Sequence, residues 1–301
     1  MSAAAAPAAG AYRAGERRNT VLALLRSPTF LGGLAIVGFW VFSAFAGSSI
    51  APHDAQTQYD ATLAAPQCEF RRYFAGLTCG EFWFGTDQLG RDVASRVFTG
   101  ASDVLKIAPL ATLLGIGGGT ALGLIAGYFG GIADEIIGRL TDALLALPLI
   151  VVAVTALVAL GTSSTTLIVL IGAVFTPLVG RTVRAAVLAE RELDYVEAAR
   201  LRGERAPYIM FAEILPNVAG PIVVETTVRL GYAIFAVAGL TFLGFGVQPP
   251  SSDWSLQIRD NYTLLPSGTY YWTVLFPAGA IATLVVGVNL IADGLQQVFD
   301  Q

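Results

Sequence analysis

An all-α polytopic membrane fold with about six spanning helices is what this sequence predicts, and three observations predict it. First, 54% of the 301 residues are hydrophobic and only 13% are charged, whereas a soluble domain carries about 25% charged residues. Second, six apolar runs are long enough to cross a bilayer, near residues 29–50, 104–128, 137–160, 165–187, 214–241 and 271–293. Third, arginines gather in two short polar segments: Arg13, Arg17, Arg18 and Arg26 before the first run, and Arg191, Arg200, Arg202 and Arg205 between the fourth and fifth. Cytoplasmic segments collect arginine, so both are expected inside.

Residues 1–28 read as a cytoplasmic tail, rich in alanine with scattered arginines. Residues 29–50 follow as the first span. Ala44-Phe45-Ala46 mimics a signal-peptidase site, but the apolar run is too long for a signal-peptide core, so an uncleaved helix is expected. Residues 51–103 form a long outer loop with four arginines and seven acidic residues. Long segments translocate with little regard to charge. Residues 104–295 make up the core membrane domain, with a cytoplasmic helix expected within 190–207 and a second outer loop over 242–270. An even number of spans places both termini in the cytoplasm.

Several chemistries are excluded or disfavoured. Lys106 is the only lysine and sits in Val104-Leu105-Lys106-Ile107, so the chain has no Walker A loop. If ATP drives this protein, another subunit binds ATP and magnesium. His53 is the only histidine, which speaks against a histidine-built metal site, and a net charge of −4 offers nothing to nucleic acid. There is no His-Glu-x-x-His or Gly-x-Ser-x-Gly motif for hydrolysis, and no catalytic residue is assigned. Gly115-Ile116-Gly117-Gly118-Gly119, with Gly123 and Gly127, superficially resembles a phosphate loop. It lies inside an apolar run, where small residues four apart serve close helix packing.

Glu225 and Arg229 stand four apart in the fifth run, near mid-bilayer. Two readings are open: a polar patch on a translocation path, able to meet the termini of a zwitterionic solute, or a structural ion pair between packed helices. Cys68 and Cys79, the only cysteines, both fall in the outer loop. In an oxidising compartment an even pair closing a short loop is expected to form a disulfide; two free thiols in a covered loop are the alternative. In the outer loop, Thr86 or Asp87 is expected to cap a short helix, and Asp92 to pair with Arg96 four residues on.

Four motifs in order carry a family resemblance. Gly85-Thr86-Asp87-Gln88-Leu89-Gly90-Arg91-Asp92-Val93-Ala94-Ser95-Arg96 precedes the second span. Glu197-Ala198-Ala199-Arg200-Leu201-Arg202-Gly203 is followed by Ile214-Leu215-Pro216-Asn217. Gly239-Leu240-Thr241-Phe242-Leu243-Gly244-Phe245-Gly246-Val247-Gln248-Pro249-Pro250 closes the fifth span, and Asn289-Leu290-Ile291-Ala292-Asp293-Gly294-Leu295 lies near the end. Together they resemble the permease subunits of the dipeptide/oligopeptide/nickel ABC importer family, of the second-subunit type. The resemblance implies that Glu197, Ala198, Ala199 and Gly203 belong to the EAA motif of a coupling helix that engages ATPase subunits. It also implies a second homologous permease, two ATP-binding subunits, an extracytoplasmic substrate-binding protein, and a place in the bacterial inner membrane. Peptides are the implied cargo class, with nickel chelates, haem or other small solutes as further options. An ATP-independent secondary transporter or channel is the alternative; its mark would be inverted repeats, and none is visible.

Overall fold

A computed structural model describes residues 24–71 and 76–299. Helix α1 spans Pro28–Ile50. It begins with Pro28 in the first helical turn, and the Ser27 hydroxyl accepts from the Phe30 amide. It packs on the last helix through small residues: a Cβ on Gly33 would lie 2.6 Å from the Gly287 carbonyl oxygen. Its opposite face exposes Phe42 and Phe45, as a lipid-facing helix does.

The outer loop holds elements that hydropathy did not announce. A two-stranded antiparallel hairpin, β1 (Cys68–Arg71) and β2 (Gly76–Cys79), sets Cys68 opposite Cys79 in the register. Asp87 caps no helix; its carboxylate closes a turn by accepting from the amides of Leu89 and Arg91, both at 2.9 Å, and from Arg91 Nε at 2.7 Å. The cap of the next helix is Asp92, which accepts from the Ser95 amide at 3.0 Å. The expected Asp92–Arg96 pair is therefore not made: Arg96 Nη2 donates instead to the Ser251 carbonyl, 3.1 Å away.

Helix α2 runs over Val93–Phe129, eleven residues earlier than its apolar run suggested. Its first turns carry Ser95, Arg96 and Asp103, so a hydropathy window misses them. They are helical because they pack against residues 251–257. Trp254 Nε1 donates to the Val97 carbonyl at 2.7 Å, and Gln257 Nε2 to that of Arg96 at 3.1 Å.

The third run, expected as one span over 137–160, is two helices, α3 (Gly131–Leu145) and α4 (Leu149–Leu160), bent by 86°. Pro148 is the cause. It has no amide to donate, and it forces Leu147 out of the helical region. Five unbroken helices are long and apolar enough to cross a membrane, and the bent pair makes six where it serves as one span.

Helix α5 (Ser164–Glu190) starts at Ser163, whose hydroxyl accepts from the Thr166 amide at 3.1 Å. It runs parallel to α2 along a glycine seam. Added Cβ atoms on Gly115, Gly119, Gly123 and Gly127 would lie 2.5–2.8 Å from Phe175, Val179, Val183 and Val187 respectively. Both sets step by four residues, the spacing that keeps side chains on one helix face.

Helix α6 (Asp194–Leu201) is the short helix expected between the fourth and fifth runs, narrower than the 190–207 segment that contains it. A π-helical stretch, Ile209–Ile214, and a single turn at Leu215–Asn217 lead into α7 (Ala219–Phe242). The fifth span thus starts five residues later than its apolar run. Pro216 cannot donate, and the chain breaks its regular pattern there. Helix α7 ends at Gly244, φ +91°, with the Phe245 amide donating to the Leu240 carbonyl. The outer 242–270 segment is not wholly irregular: it holds helix α8 (Trp254–Asn261) and a 3₁₀ turn at Tyr262–Ser267. Helix α9 (Trp272–Phe299) completes the chain. The fold is all-α apart from the outer hairpin.

Candidate functional site: the cytoplasmic elbow and a mid-membrane ion pair

Helix α6 is amphipathic in the way a docking helix must be. Val196 and Ala199 are fully buried, against Val183, Val187, Ile209, Met210 and Ile214. Glu197 and Ala198 face outward. Of the paired alanines, Ala199 therefore seats the helix on its own chain and Ala198 is exposed. The helix ends in a full Schellman motif: the Gly203 amide donates to the Arg200 carbonyl at 2.9 Å, and the Glu204 amide to that of Ala199 at 3.2 Å. Gly203 has φ +78°, a conformation glycine takes without cost, and no atom lies within 4 Å of where its Cβ would be. The need for glycine is conformational, not a matter of crowding within this chain.

The turn between α5 and α6 is tied down by polar contacts. Tyr195 Oη donates to Glu190 Oε2 at 2.7 Å. Partial burial and that acceptor together push the Tyr195 phenol up to about 12, so it stays protonated and remains a donor. Arg202 Nη2 reaches Glu213 Oε1 at 3.2 Å, joining the end of α6 to the π-helical stretch.

Glu225 and Arg229 do pair, with Arg229 Nε to Glu225 Oε1 at 2.6 Å, and both side chains are largely buried. The guanidinium of Arg229 lies over the rings of Tyr232 (5.6 Å) and Phe175 (5.9 Å). Arg229 also lines a cavity of about 270 Å³ bounded by α4, α5 and α7, with Ile150, Phe175, Tyr232 and Phe235 among the walls. A larger hollow of about 820 Å³ lies at the α3–α4 bend, but its lining is apolar except for two threonines. It offers no charge to a polar solute, so the smaller cavity is the better candidate for a path.

On the outer face, Asp253 caps α8 by accepting from the amides of Ser255 (2.9 Å) and Leu256 (3.1 Å). Burial pushes its carboxyl up to about 6, against the pull of the Leu256 amide, and nearby Asp103 adds to the rise. The folded group thus holds its proton more tightly than the unfolded one. Its stabilising contribution is complete below the ordinary carboxylate range and is lost as pH rises through about 6. Above that, the buried charge costs at most about 3 kcal/mol. Asp253→Asn keeps the cap but cannot ionise. The variant is expected to melt higher than the parent at pH 7.5, with the gap closing as pH falls to 5. A gap independent of pH in thermal melts would exclude this account.

Comparison with known proteins identifies the family. The family model for the inner-membrane component of binding-protein-dependent transport systems matches residues 119–301. The chain belongs to that family. It is similar to the dipeptide transport system permease protein DppC of Alkalihalophilus pseudofirmus, 37% identical over 89% of this chain and 85% of the relative. It is 36% identical to the di/tripeptide transport system permease protein DppC of Pseudomonas aeruginosa, over 90% of this chain and 87% of that one. The glutathione transport system permease protein GsiD of Pectobacterium atrosepticum is 34% identical over 85% of this chain and 81% of its own length. As a member of this binding-protein-dependent family, the chain is a multi-pass membrane permease subunit of an ATP-driven importer, not an enzyme in itself.

Some of the site was not visible in the sequence. Arg191 and the Tyr128 carbonyl, 3.4 Å apart in space, lie more than sixty positions apart in the chain, and nothing in either local pattern marks them.

Proposed function

We propose that the chain forms half of a translocation pathway for short peptides, beside a second homologous permease. Two ATPase subunits would bind ATP and magnesium on the cytoplasmic side, and a substrate-binding protein would deliver cargo outside. The observation that carries the reading is α6, a short helix seated by Val196 and Ala199 that leaves Glu197 and Ala198 exposed and is closed by Gly203. That is the shape of a knob for another protein's groove. The relatives named for dipeptide, tripeptide and glutathione transport support a peptide cargo. Arg229, held by Glu225 at the edge of an otherwise apolar cavity, suits a passing carboxylate better than it suits a tight site.

Reconstitution into vesicles tests this. The complete complex with its binding protein is expected to accumulate labelled di- and tripeptides only with ATP. Peptide accumulation without ATP, or none with it while another solute is taken up, would contradict the proposal.

The arginine distribution supports a topology with both termini in the cytoplasm and the hairpin outside. The β1–β2 register sets Cys68 directly opposite Cys79, and facing residues of an antiparallel pair lie within the Cα separation a disulfide spans. Closing this loop would stabilise it by about 3 kcal/mol, through restriction of its unfolded states. In right-side-out vesicles, a membrane-impermeant maleimide is expected to label both cysteines only after reduction. Labelling without reductant would rule out the disulfide. Labelling only after permeabilisation would rule out the topology.

A further inference from the structure

Helix α2 ends at the cytoplasmic face with carbonyls that its own helix cannot satisfy. Arg191, the residue that ends α5, supplies the donor. Its Nη1 lies 2.9 Å from the Gly127 carbonyl oxygen and 3.4 Å from that of Tyr128. A cation at this end also complements the helix dipole. From the other side of the turn, the Arg200 guanidinium of α6 sits 5.4 Å from the Tyr128 ring centroid. Gly130 makes room: it has φ +63°, and a Cβ there would lie 2.9 Å from Arg191 Nη1. Thus α6 is tied to the end of α2 by Arg200 directly and by Arg191 at the root of the turn. At its far end α2 holds the outer cap through Val97, Arg96 and Asp103.

We propose that Arg191 and Tyr128 make the α5–α6 turn a rigid elbow, so that α6 and α2 move as one lever. Displacement of α6 by the ATPase subunits is then carried along the 37 residues of α2 to the outer cap. Arg191 is a positioning residue here: it touches neither cargo nor nucleotide. The inference rests on α6 being the coupling element.

The test uses the reconstituted complex and reads solute transported per ATP hydrolysed. A merely structural weakness lowers the yield of complex but leaves that ratio alone. Arg191→Gln is expected to lower the ratio about tenfold, within the range of typical coupling energies. Arg191→Lys, which keeps a charged donor, should recover part of it. Gly130→Ala, which displaces Arg191 without altering it, should behave like Arg191→Gln. An unchanged ratio in Arg191→Gln overturns the elbow; if that variant fails to assemble, Gly130→Ala and Tyr128→Leu decide by the same readout. Glu197→Arg separates the two ideas. If it lowers the ratio while the elbow variants do not, only the elbow fails. If Glu197→Arg and Gly203→Pro both leave the ratio intact, the coupling role of α6 fails.

Discussion

Gly123→Leu is expected to leave almost no folded permease in the membrane. A Cβ at position 123 would lie 2.7 Å from Val183 Cβ, 2.9 Å from the Arg184 amide nitrogen and 2.9 Å from the Gly180 carbonyl oxygen. Two of those three atoms are backbone, so no side-chain rotation relieves the clash. The only response is to push α5 away from α2, which opens the seam at Gly119 and Gly127 as well. Overpacking a well-filled core costs about 1–3 kcal/mol, and more where backbone must move. Gly117 is the internal control, because it sits in the same helix with no atom within 4 Å of a Cβ. Gly117→Ala should be neutral or slightly stabilising, since alanine favours the helix by about 1 kcal/mol over glycine. Yield on size-exclusion chromatography and the melting temperature check both. A Gly123→Leu protein that elutes and melts like the parent would show that the seam is not held as described.

Gly203→Pro and Glu197→Arg are expected to leave the protein in the membrane while lowering transport per ATP more than tenfold, within the range of coupling energies of about 1–3 kcal/mol. The two act differently. Proline fixes φ near −65°, incompatible with the +78° seen at Gly203, and removes the amide that donates to Arg200. The Schellman closure is lost and α6 frays at its end. Glu197→Arg leaves the backbone alone and reverses a charge on the exposed face. Gly203→Ala should fall between parent and proline variant: it keeps the amide and has open space, but must hold a left-handed conformation, which costs an L-residue about 1–2 kcal/mol. Parental ratios in both Gly203→Pro and Glu197→Arg would remove α6 from the coupling path.

Much of this protein was legible without coordinates. Bilayer thickness and the cost of exposing backbone to lipid convert apolar run length into spans, so the all-α class, the set of about six apolar helical segments and the short polar helix around Glu197 could all be read from the chain. The Glu225–Arg229 pair was legible too, because i and i+4 meet on any helix. Helix ends outside the bilayer were not. The first turns of α2 and the short helix α8 mix apolar with polar and charged residues, and hydropathy has no term for a helix held by Asp92 or Asp253 caps and by Trp254 packing. The Pro148 break could be suspected but not its 86° angle, because proline only removes a bond and a rotamer, while the neighbours set the direction.

The chain by itself marked which segments are apolar enough to span a membrane and which short polar stretch between them is helical, because solvation and local spacing act along the sequence. Only the tertiary structure decided which glycines face valines, that Asp92 caps while Arg96 reaches Ser251, and that Arg191 closes over the end of α2. Those contacts join residues far apart in sequence, and their partners are chosen by how whole helices pack.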